Sequence, residues 1–320
     1  MQAEHERTLD LFGARVRILV GTPLDGERRS PALAALEAEA LLRRLHADLS
    51  RFEPASALSA LNRNPAARVE VGPAVAMLVR AAIDAAEASG GLVDASIVEP
   101  LERAGYTSSR VGVRPASLTA ALQWAPKRRP AQPRPGHPWD QVALSADRST
   151  VVRPPGLRID SGGLGKGLAA DLAGRRLSRF SSFAVDCGGD LRLGGVRGLS
   201  RRVEVDHPFD DDMGLSFDLA EGGIATSGMK TRIWADGHGY SHHLINPATG
   251  QPAWTGVVQA TALAPTTAQA EVLAKTALLS GPESARHALE PWGGILVLDS
   301  GEVEARGGLS LALRTGKAAA

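Results

Sequence analysis

The sequence predicts an α+β fold built on a largely antiparallel sheet. Predicted strands and helices alternate irregularly, and no fixed-period repeat is present. Several strand pairs are joined by turns of hairpin length, and the clearest such turn is Cys187-Gly188-Gly189-Asp190 between apolar runs at residues 183–185 and 191–193. Short hairpin links favour this class over a doubly wound parallel sheet, which needs long crossovers.

The composition is that of an ordinary globular protein. The chain has 320 residues, of which 43% are hydrophobic, so a sizeable core is expected. Lys and Arg total 36 against 35 acidic residues, and no overall field attracts nucleic acid or an anionic membrane. Cys187, the single cysteine, lies in an apolar run and is predicted to be a buried strand thiol.

The termini and hydropathy favour a cytoplasmic protein. The first residues include acidic side chains and no apolar run of signal-peptide length, and no window approaches the roughly 18 to 20 apolar residues that span a bilayer. The single cysteine is consistent with a reducing compartment. We predict one domain over residues 1–315 and a frayed tail at residues 316–320.

The first half of the chain has clear signals for local structure. Residues 15–20 alternate basic and apolar side chains and predict a strand. Ser30-Pro31 predicts the start of a helix that runs to about Arg51, because serine caps helices and proline suits their first turn. A second helix is predicted over residues 73–89, ending at Gly90-Gly91. Residues 124–139, rich in proline and arginine, predict a surface loop.

The second half continues the sheet and adds two helices. Residues 157–160 are predicted to form a short strand that enters a glycine-rich turn at residues 161–167, and a helix follows over residues 168–180. Further strands are predicted around Ile224, residues 244–245 and residues 257–263. The capping-box pattern Thr266-Thr267-Ala268-Gln269 predicts the start of a last helix, which should end at Gly281-Pro282.

The glycine-rich turn is the first candidate site. Ser161-Gly162-Gly163-Leu164-Gly165-Lys166-Gly167 has four glycines in six residues, so the backbone can approach a ligand and direct free N–H groups at a phosphate, with Lys166 as an added charge. A tight connection with a solvated lysine is equally compatible. A Walker A loop is excluded because Asp160 and Gly167 occupy positions that require Gly and Ser or Thr. A dinucleotide fingerprint is disfavoured because Leu168 stands where Gly or Ala is needed.

Two further clusters contain side chains that could take part in proton transfer or ion pairing. His242 and His243 precede a turn of Asn-Pro and Thr-Gly type, and either histidine could accept a proton from a hydroxyl or simply be half-exposed in a hairpin. Glu271 and Lys275 lie four residues apart on one helix face, in the order that favours a salt bridge. Asp94 and Asp160 adjoin glycines, where either could cap a turn.

In order along the chain, these segments resemble the ApbE-like FAD:protein FMN transferase family. The similar blocks are residues 52–62, residues 91–101 with Gly105-Tyr106, residues 160–171, residues 186–190, Ala225-Thr226-Ser227-Gly228, and residues 242–250. Single blocks are weakly specific, whereas six in the same order cover nearly the whole chain. The resemblance implies a T-fold-like α+β domain that binds FAD, cleaves its pyrophosphate with the help of Mg²⁺, and joins FMN to a Thr or Ser of a target flavoprotein with release of AMP.

The resemblance also implies roles for individual residues. His243 matches the histidine that deprotonates the acceptor hydroxyl, and Lys166 adds positive charge at the pyrophosphate. The implied contacts to FAD are Phe12, Phe52, Leu92, Val93, Asp94, Asp160, Lys166, Thr226 and Ile245. The family's metal positions correspond to Gly163, through its backbone oxygen, Glu271 and Lys275.

Two residues depart from the family pattern. Lys275 replaces a threonine ligand, and a protonated lysine has no lone pair with which to bind Mg²⁺. We therefore hypothesise that the Lys275 ammonium replaces the charge of the metal, with Glu271 holding it in place. Asn246 replaces an aspartate, which removes a charge near His243 and predicts a weaker base.

Two other functions are compatible with the same residues. A hydrolase would split FAD into FMN and AMP with water in place of the acceptor hydroxyl. A flavin-binding protein without catalytic activity would keep the pocket and have lost the chemistry together with the metal ligands. The products of FAD with an acceptor protein separate all three.

Overall fold

The structure, a computed structural model, describes residues 4–196, 199–237 and 239–315. Its α-helices in these ranges are α1 (Pro31–Leu49), α2 (Ala57–Arg63), α3 (Pro73–Ala88), α4 (Val98–Arg103), α5 (Leu118–Trp124), α6 (Gly165–Arg176) and α7 (Thr267–Leu289). Across those residues, no helix is both long and apolar enough to cross a membrane.

Of the strands in the described ranges, nine lie before residue 220. They are β1 (His5–Leu11), β2 (Ala14–Val20), β3 (Arg68–Glu70), β4 (Ala143–Leu144), β5 (Thr150–Val152), β6 (Ser182–Cys187), β7 (Leu191–Gly195), β8 (Arg201–Asp206) and β9 (Met213–Leu219). The remaining strands are β10 (Gly222–Gly228), β11 (Ile233–Ala235), β12 (Tyr240–His242), β13 (Ile245–Asn246), β14 (Gln251–Pro252), β15 (Val257–Ala264), β16 (Gly294–Leu298), β17 (Val303–Arg306) and β18 (Ala312–Thr315).

The central sheet has eight strands in the order β1-β2-β6-β7-β10-β15-β16-β17, and every neighbouring pair is antiparallel. The predicted α+β class with an antiparallel sheet is therefore confirmed. The predicted hairpin at residues 187–190 joins β6 to β7. Another two-residue turn joins β1 to β2, where Phe12 and Gly13 both have positive φ, as in a type I′ turn.

The sheet is covered on both faces. Side chains of successive strand residues point to opposite faces, so Val185 packs in the helix-side core whereas Ala184 packs under a small second sheet. The helix side consists mainly of α1, α3, α6 and α7. The opposite side is covered by the three-stranded sheet β18-β9-β8. Buried Cys187 belongs to the helix-side core, and burial raises the pKa of its thiol well above the ordinary value.

The capping residues and glycines in the sequence correctly predicted where the main helices begin or end. The Ser30 hydroxyl accepts a hydrogen bond from Leu33 N at the start of α1, and the Thr266 hydroxyl accepts one from Gln269 N at the start of α7. Helix α3 ends beside Gly90-Gly91 as predicted. The predicted tail at residues 316–320 lies outside the described residues.

One local prediction was wrong and two others were confirmed. Residues 157–160 form no strand, because the Asn62 side chain bonds both the N–H and the C=O of Ile159 and occupies its strand-pairing groups. The predicted helix end at Gly281-Pro282 is present: Gly281, with φ 79° and ψ 169°, is not helical, and a second helical segment follows it to Leu289. Residues 124–139 are mostly loop, as predicted, and they are held to α7 by the hydrogen bond from Ala131 N to Leu279 O.

Candidate active site

A pocket opens between the loop after α3, the turn before α6, the start of β13 and the middle of α7. Its lining residues are Leu92, Val93, Asp94, Ala95, Ile97, Leu101, Tyr106, Asp160, Gly162, Gly163, Leu164, Arg232, His243, Leu244, Ile245, Lys275 and Leu279. Apolar side chains dominate one part and charged groups another. This combination suits a ligand with a flat apolar portion and an anionic portion.

The loop after α3 brings a buried carboxylate to the pocket. Gly91 has φ 85°, and a Cβ there would lie 2.8 Å from the indole nitrogen of Trp139, so only glycine allows this path. Oδ1 of Asp94 accepts a hydrogen bond from Ser96 N at 2.7 Å. Oδ2 of Asp94 is buried, and neither it nor the Ser96 hydroxyl has a hydrogen-bond partner among the described residues. A ligand donor that reached Asp94 would relieve the cost of this unpaired oxygen.

The glycine turn lies at the pocket, but its N–H groups are largely used within the protein. Gly162 N donates to Asp160 Oδ2, whereas the N–H groups of Leu164 and Gly165 both donate to Ser161 O. Gly167 N donates to Glu271 at 2.9 Å. The prediction of a turn that directs these N–H groups at a phosphate is therefore wrong for these four donors. The Asp160 carboxylate caps the turn, as the sequence allowed, whereas Glu271 reaches Gly167 N from a distant helix.

Helices α6 and α7 are locked together behind the pocket. Asp171 of α6 accepts hydrogen bonds from the N–H groups of Thr267 and Ala268, both at 2.9 Å, and so caps the start of α7. A Cβ on Gly167 would lie 2.8 Å from Thr267 O, so glycine is required where the helices cross. These contacts set the position of Glu271 and Lys275 relative to the glycine turn.

Four charged side chains alternate in sign at this crossing. Nζ of Lys166 lies 2.5 Å from Oδ2 of Asp190, and Nζ of Lys275 lies 3.3 Å from Oε1 of Glu271. Burial lowers the pKa of Lys166, but the carboxylates of Asp190 and Glu271 outweigh burial and raise it, so the lysine is charged. Burial raises the pKa of Asp190 to about 6 even though Lys166 opposes this shift.

The donor set at the expected metal positions does not fit Mg²⁺. Glu271 is 2% exposed, and its two oxygens face Gly167 N and the Lys275 ammonium. Among the residues with described positions, no group of three His, Cys, Asp or Glu side chains could hold a metal ion. Magnesium needs about six oxygen ligands, and a lysine cation beside the single carboxylate would repel it.

The paired histidines have different surroundings. His242 is fully buried, its ring meets Trp254 edge-on at 4.7 Å, and its Nδ1 accepts a hydrogen bond from Leu244 N. His243 lines the pocket, and its Nδ1 lies 3.4 Å from Arg232 O. A carbonyl can only accept, so we assign the His243 proton to Nδ1, which leaves the lone pair on Nε2.

Both imidazoles are neutral at physiological pH. Burial lowers the pKa of His242 to about 3. Burial, together with the nearby positive charge of Arg232, lowers the pKa of His243 well below its ordinary value. A neutral His243 with a free Nε2 lone pair can accept a proton from a hydroxyl group.

Aromatic rings and an arginine support the pocket wall near His243 from behind. Tyr106 lines the pocket, with Phe52 edge-on behind it at 5.4 Å and Trp234 stacked at 6.1 Å. The Arg51 guanidinium lies 4.3 Å from the Phe52 ring centre and 2.8 Å from Asp160. This packing holds Asp160 and Tyr106 in fixed positions at the pocket.

Eight of the residues predicted for the site line this pocket, namely Leu92, Val93, Asp94, Asp160, Gly163, His243, Ile245 and Lys275. Five others lie outside the lining. Phe12 lies in the β1–β2 turn against His46, Phe52 behind Tyr106, and Thr226 in a hydrogen bond with Thr261. Lys166 and Glu271 lie in the charge cluster behind the glycine turn.

The site includes residues that sequence reasoning did not assign to it, above all Arg232 and Tyr106. Tyr106 belongs to the Gly105-Tyr106 match noted in the sequence, which was a signal for it. Arg232 stands in no motif. Its place in the pocket depends on the β10–β11 connection, which only the folded chain brings beside His243.

Comparison with known proteins yields one consistent family. Residues 12–298 match the model of the ApbE family. The FAD:protein FMN transferase of Treponema pallidum (strain Nichols) is 28% identical over 309 residues, covering 91% of this chain and 83% of that protein. The protein of the same name from Escherichia coli (strain K12) is 33% identical over 139 residues, which are 41% of this chain and 39% of that protein.

Solved structures show the same fold. The crystal structure of an ApbE protein from Thermotoga maritima superimposes with a TM-score of 0.76 at 25% identity, covering 95% of this chain and 97% of that one. The flavin transferase ApbE from Vibrio cholerae superimposes with a TM-score of 0.71 at 22% identity and covers 96% and 98% of the two chains.

Proposed function

Because this chain belongs to the ApbE family, we propose that it is an FAD:protein FMN transferase, an enzyme that moves FMN from FAD to a hydroxyl group of a protein. The observation that carries the proposal is the state of His243. It is a neutral imidazole in the pocket wall, with Nδ1 held by Arg232 O and with no described residue bonded to the Nε2 lone pair.

The proposed reaction is a single displacement at phosphorus. The Thr or Ser oxygen of the acceptor attacks the FMN phosphorus, and its proton passes to Nε2 of His243. The bond from that phosphorus to the bridging oxygen breaks, and AMP leaves with the bonding electrons. The products are a protein–FMN phosphoester and AMP. The acceptor is expected to be a flavoprotein, which this reaction would supply with its cofactor.

The pocket supports FAD as the donor in two ways. Leu92, Val93 and Ile245 offer apolar contacts for an isoalloxazine ring, and the unpaired Oδ2 of Asp94 can accept a hydrogen bond from an N–H or O–H of the flavin. Arg232 and Lys275 offer positive charge for the pyrophosphate. Mg²⁺ is not included in this proposal, because its expected ligands do not suit it.

The decisive experiment follows the acceptor by mass spectrometry. The purified chain is incubated with FAD and a flavoprotein or peptide that contains a flavinylation site. Transfer adds one FMN less water to the acceptor and releases an equal amount of AMP. A His243→Asn variant, which keeps a polar side chain but has no imidazole base, should retain FAD binding and lose transfer.

The same mixture separates the two alternatives. Free FMN and AMP without a modified acceptor would identify a hydrolase. Unchanged FAD bound to the protein would identify a flavin-binding protein without transferase activity. Either result would contradict the proposed function.

A further inference from the structure

The cation nearest the glycine turn in the pocket wall is Lys275. Its side chain is 16% exposed and lines the pocket together with Gly163. A Cβ on Gly163 would lie 3.1 Å from Cε of Lys275, so the absence of a side chain at 163 makes room for the lysine. The ammonium therefore lies where a phosphate group at the glycine turn would meet it.

Glu271 holds Lys275 in place and leaves some of its N–H donors available to a ligand. An ammonium has three N–H donors, and within the described part of the chain Lys275 makes one long hydrogen bond, 3.3 Å, to Glu271. Glu271 is itself fixed by Gly167 N at 2.9 Å. Two donors of Lys275 remain for a ligand, and the tether restricts the side chain so that little of its entropy is left to lose on binding.

Two positive charges at the pocket, those of Lys275 and Arg232, are not fully balanced by neighbouring carboxylates. Lys166 and Asp190 satisfy each other behind the turn, and Glu271 satisfies part of the charge of Lys275. Arg232 lines the pocket and has no carboxylate within ion-pair distance in the described ranges. A pyrophosphate bridge carries two negative charges, which Lys275 and Arg232 can meet.

We propose that the Lys275 ammonium, positioned by Glu271, supplies the positive charge at the FAD pyrophosphate, so that this protein binds and uses FAD without a divalent metal ion. Glu271 is then a positioning residue and not a metal ligand. The inference rests on the proposed function for the identity of the ligand. To that function it adds that no divalent metal ion is needed and that Glu271 acts by positioning Lys275.

The test measures FAD affinity by calorimetry in two buffers, one with excess EDTA and one with millimolar Mg²⁺. The wild-type protein should bind FAD equally well in both, and titration of Mg²⁺ alone should release no heat of binding. Transfer of FMN to the acceptor should proceed in EDTA. These measurements need no variant and do not depend on how a mutant folds.

A variant pair then isolates the lysine. Lys275→Met removes the charge and keeps the side-chain length, and Lys127→Met removes the charge of an exposed lysine outside the pocket. Lys275→Met should bind FAD about ten- to hundredfold more weakly than the wild type, because it has lost a charge-assisted contact. Lys127→Met should bind like the wild type. Thermal melting shows whether each variant is folded.

The outcomes separate the two proposals. FAD binding by the wild type that requires Mg²⁺, or Lys275→Met that is folded and binds FAD normally, would overturn the inference and leave the transferase function intact. Metal-independent and Lys275-dependent binding without any FMN transfer would instead overturn the proposed function and leave the role of Lys275 standing.

Discussion

The two adjacent histidines can be told apart by their effect on stability against pH. His242 is fully buried, and burial lowers its pKa from 6.5 to about 3. Protonation would charge a buried ring and end its acceptance of the Leu244 N–H bond. The unfolded chain therefore binds a proton more readily than the folded protein, and stability falls as the pH drops below about 6.5.

The magnitude follows from the two pKa values. A pH of 5 lies 1.5 units below the pKa of 6.5 of an unfolded histidine. At about 1.4 kcal/mol per unit, protonation of that histidine stabilises the unfolded state by about 2 kcal/mol. At pH 7 the same effect is about 0.2 kcal/mol. The folded protein gains almost nothing at either pH, because both lie well above a pKa of about 3.

The perturbation is His242→Asn, whose side-chain oxygen can replace Nδ1 as acceptor for Leu244 N but does not titrate. Urea unfolding gives the free energy of unfolding for both proteins at pH 7 and pH 5. The variant loses packing against Trp254 at both pH values, whereas the other titrating groups act equally on both proteins. The advantage of the wild type should therefore shrink by about 2 kcal/mol from pH 7 to pH 5.

One result would refute this reasoning. The difference in the free energy of unfolding between the wild type and His242→Asn could stay constant within about 0.5 kcal/mol from pH 7 to pH 5, with the same urea dependence for both proteins. In that case His242 is not held neutral in the folded state. The variant should also transfer FMN at pH 7, because His242 does not line the pocket.

Further predictions concern the site itself. His243→Asn should lower the transfer rate about 10²- to 10⁴-fold, measured as FMN-modified acceptor, and leave FAD affinity nearly unchanged; an equal loss of affinity would assign His243 to binding. Asp94→Ala removes the unpaired buried oxygen, so flavin fluorescence should show weaker FAD binding, about tenfold, and unaltered affinity would remove Asp94 from the flavin site. Lys166→Met leaves the buried Asp190 carboxylate without its ion-pair partner and should destabilise the fold by about 3 kcal/mol in urea unfolding. Much of the lost stability should return in the double variant Lys166→Met/Asp190→Asn. A stable but inactive single variant would instead indicate a direct catalytic role for Lys166.

Local signals in the sequence were enough for the class of fold and for the segments of the site. The Ser30 and Thr266 caps and the glycine stop after α3 act within a few residues, so the pattern contains all the partners needed. The same holds for the hairpin at residues 187–190. The ordered blocks also placed Asp94 and His243 in one site, and the structure brings both to a single pocket.

Tertiary structure decided which charged groups meet the pocket. The sequence analysis assigned both Lys166 and Lys275 to the site, yet Lys166 pairs with Asp190, and of these two lysines only Lys275 lines the pocket. The N–H group of Gly167 was expected to be free, yet it bonds Glu271, which is 104 residues away in the chain. Such partners depend on how α6 crosses α7.

The sequence by itself thus determined the antiparallel α+β fold, the main helix boundaries and the segments that build the site, because those features arise from neighbouring residues and from the order of blocks along the chain. Only the folded chain decided that Lys166 pairs with Asp190 behind the glycine turn, and that Arg232 lies in the pocket beside His243. The physical reason is that hydrogen bonds and burial set the charge and the free atoms of each side chain, and both come from residues distant in sequence.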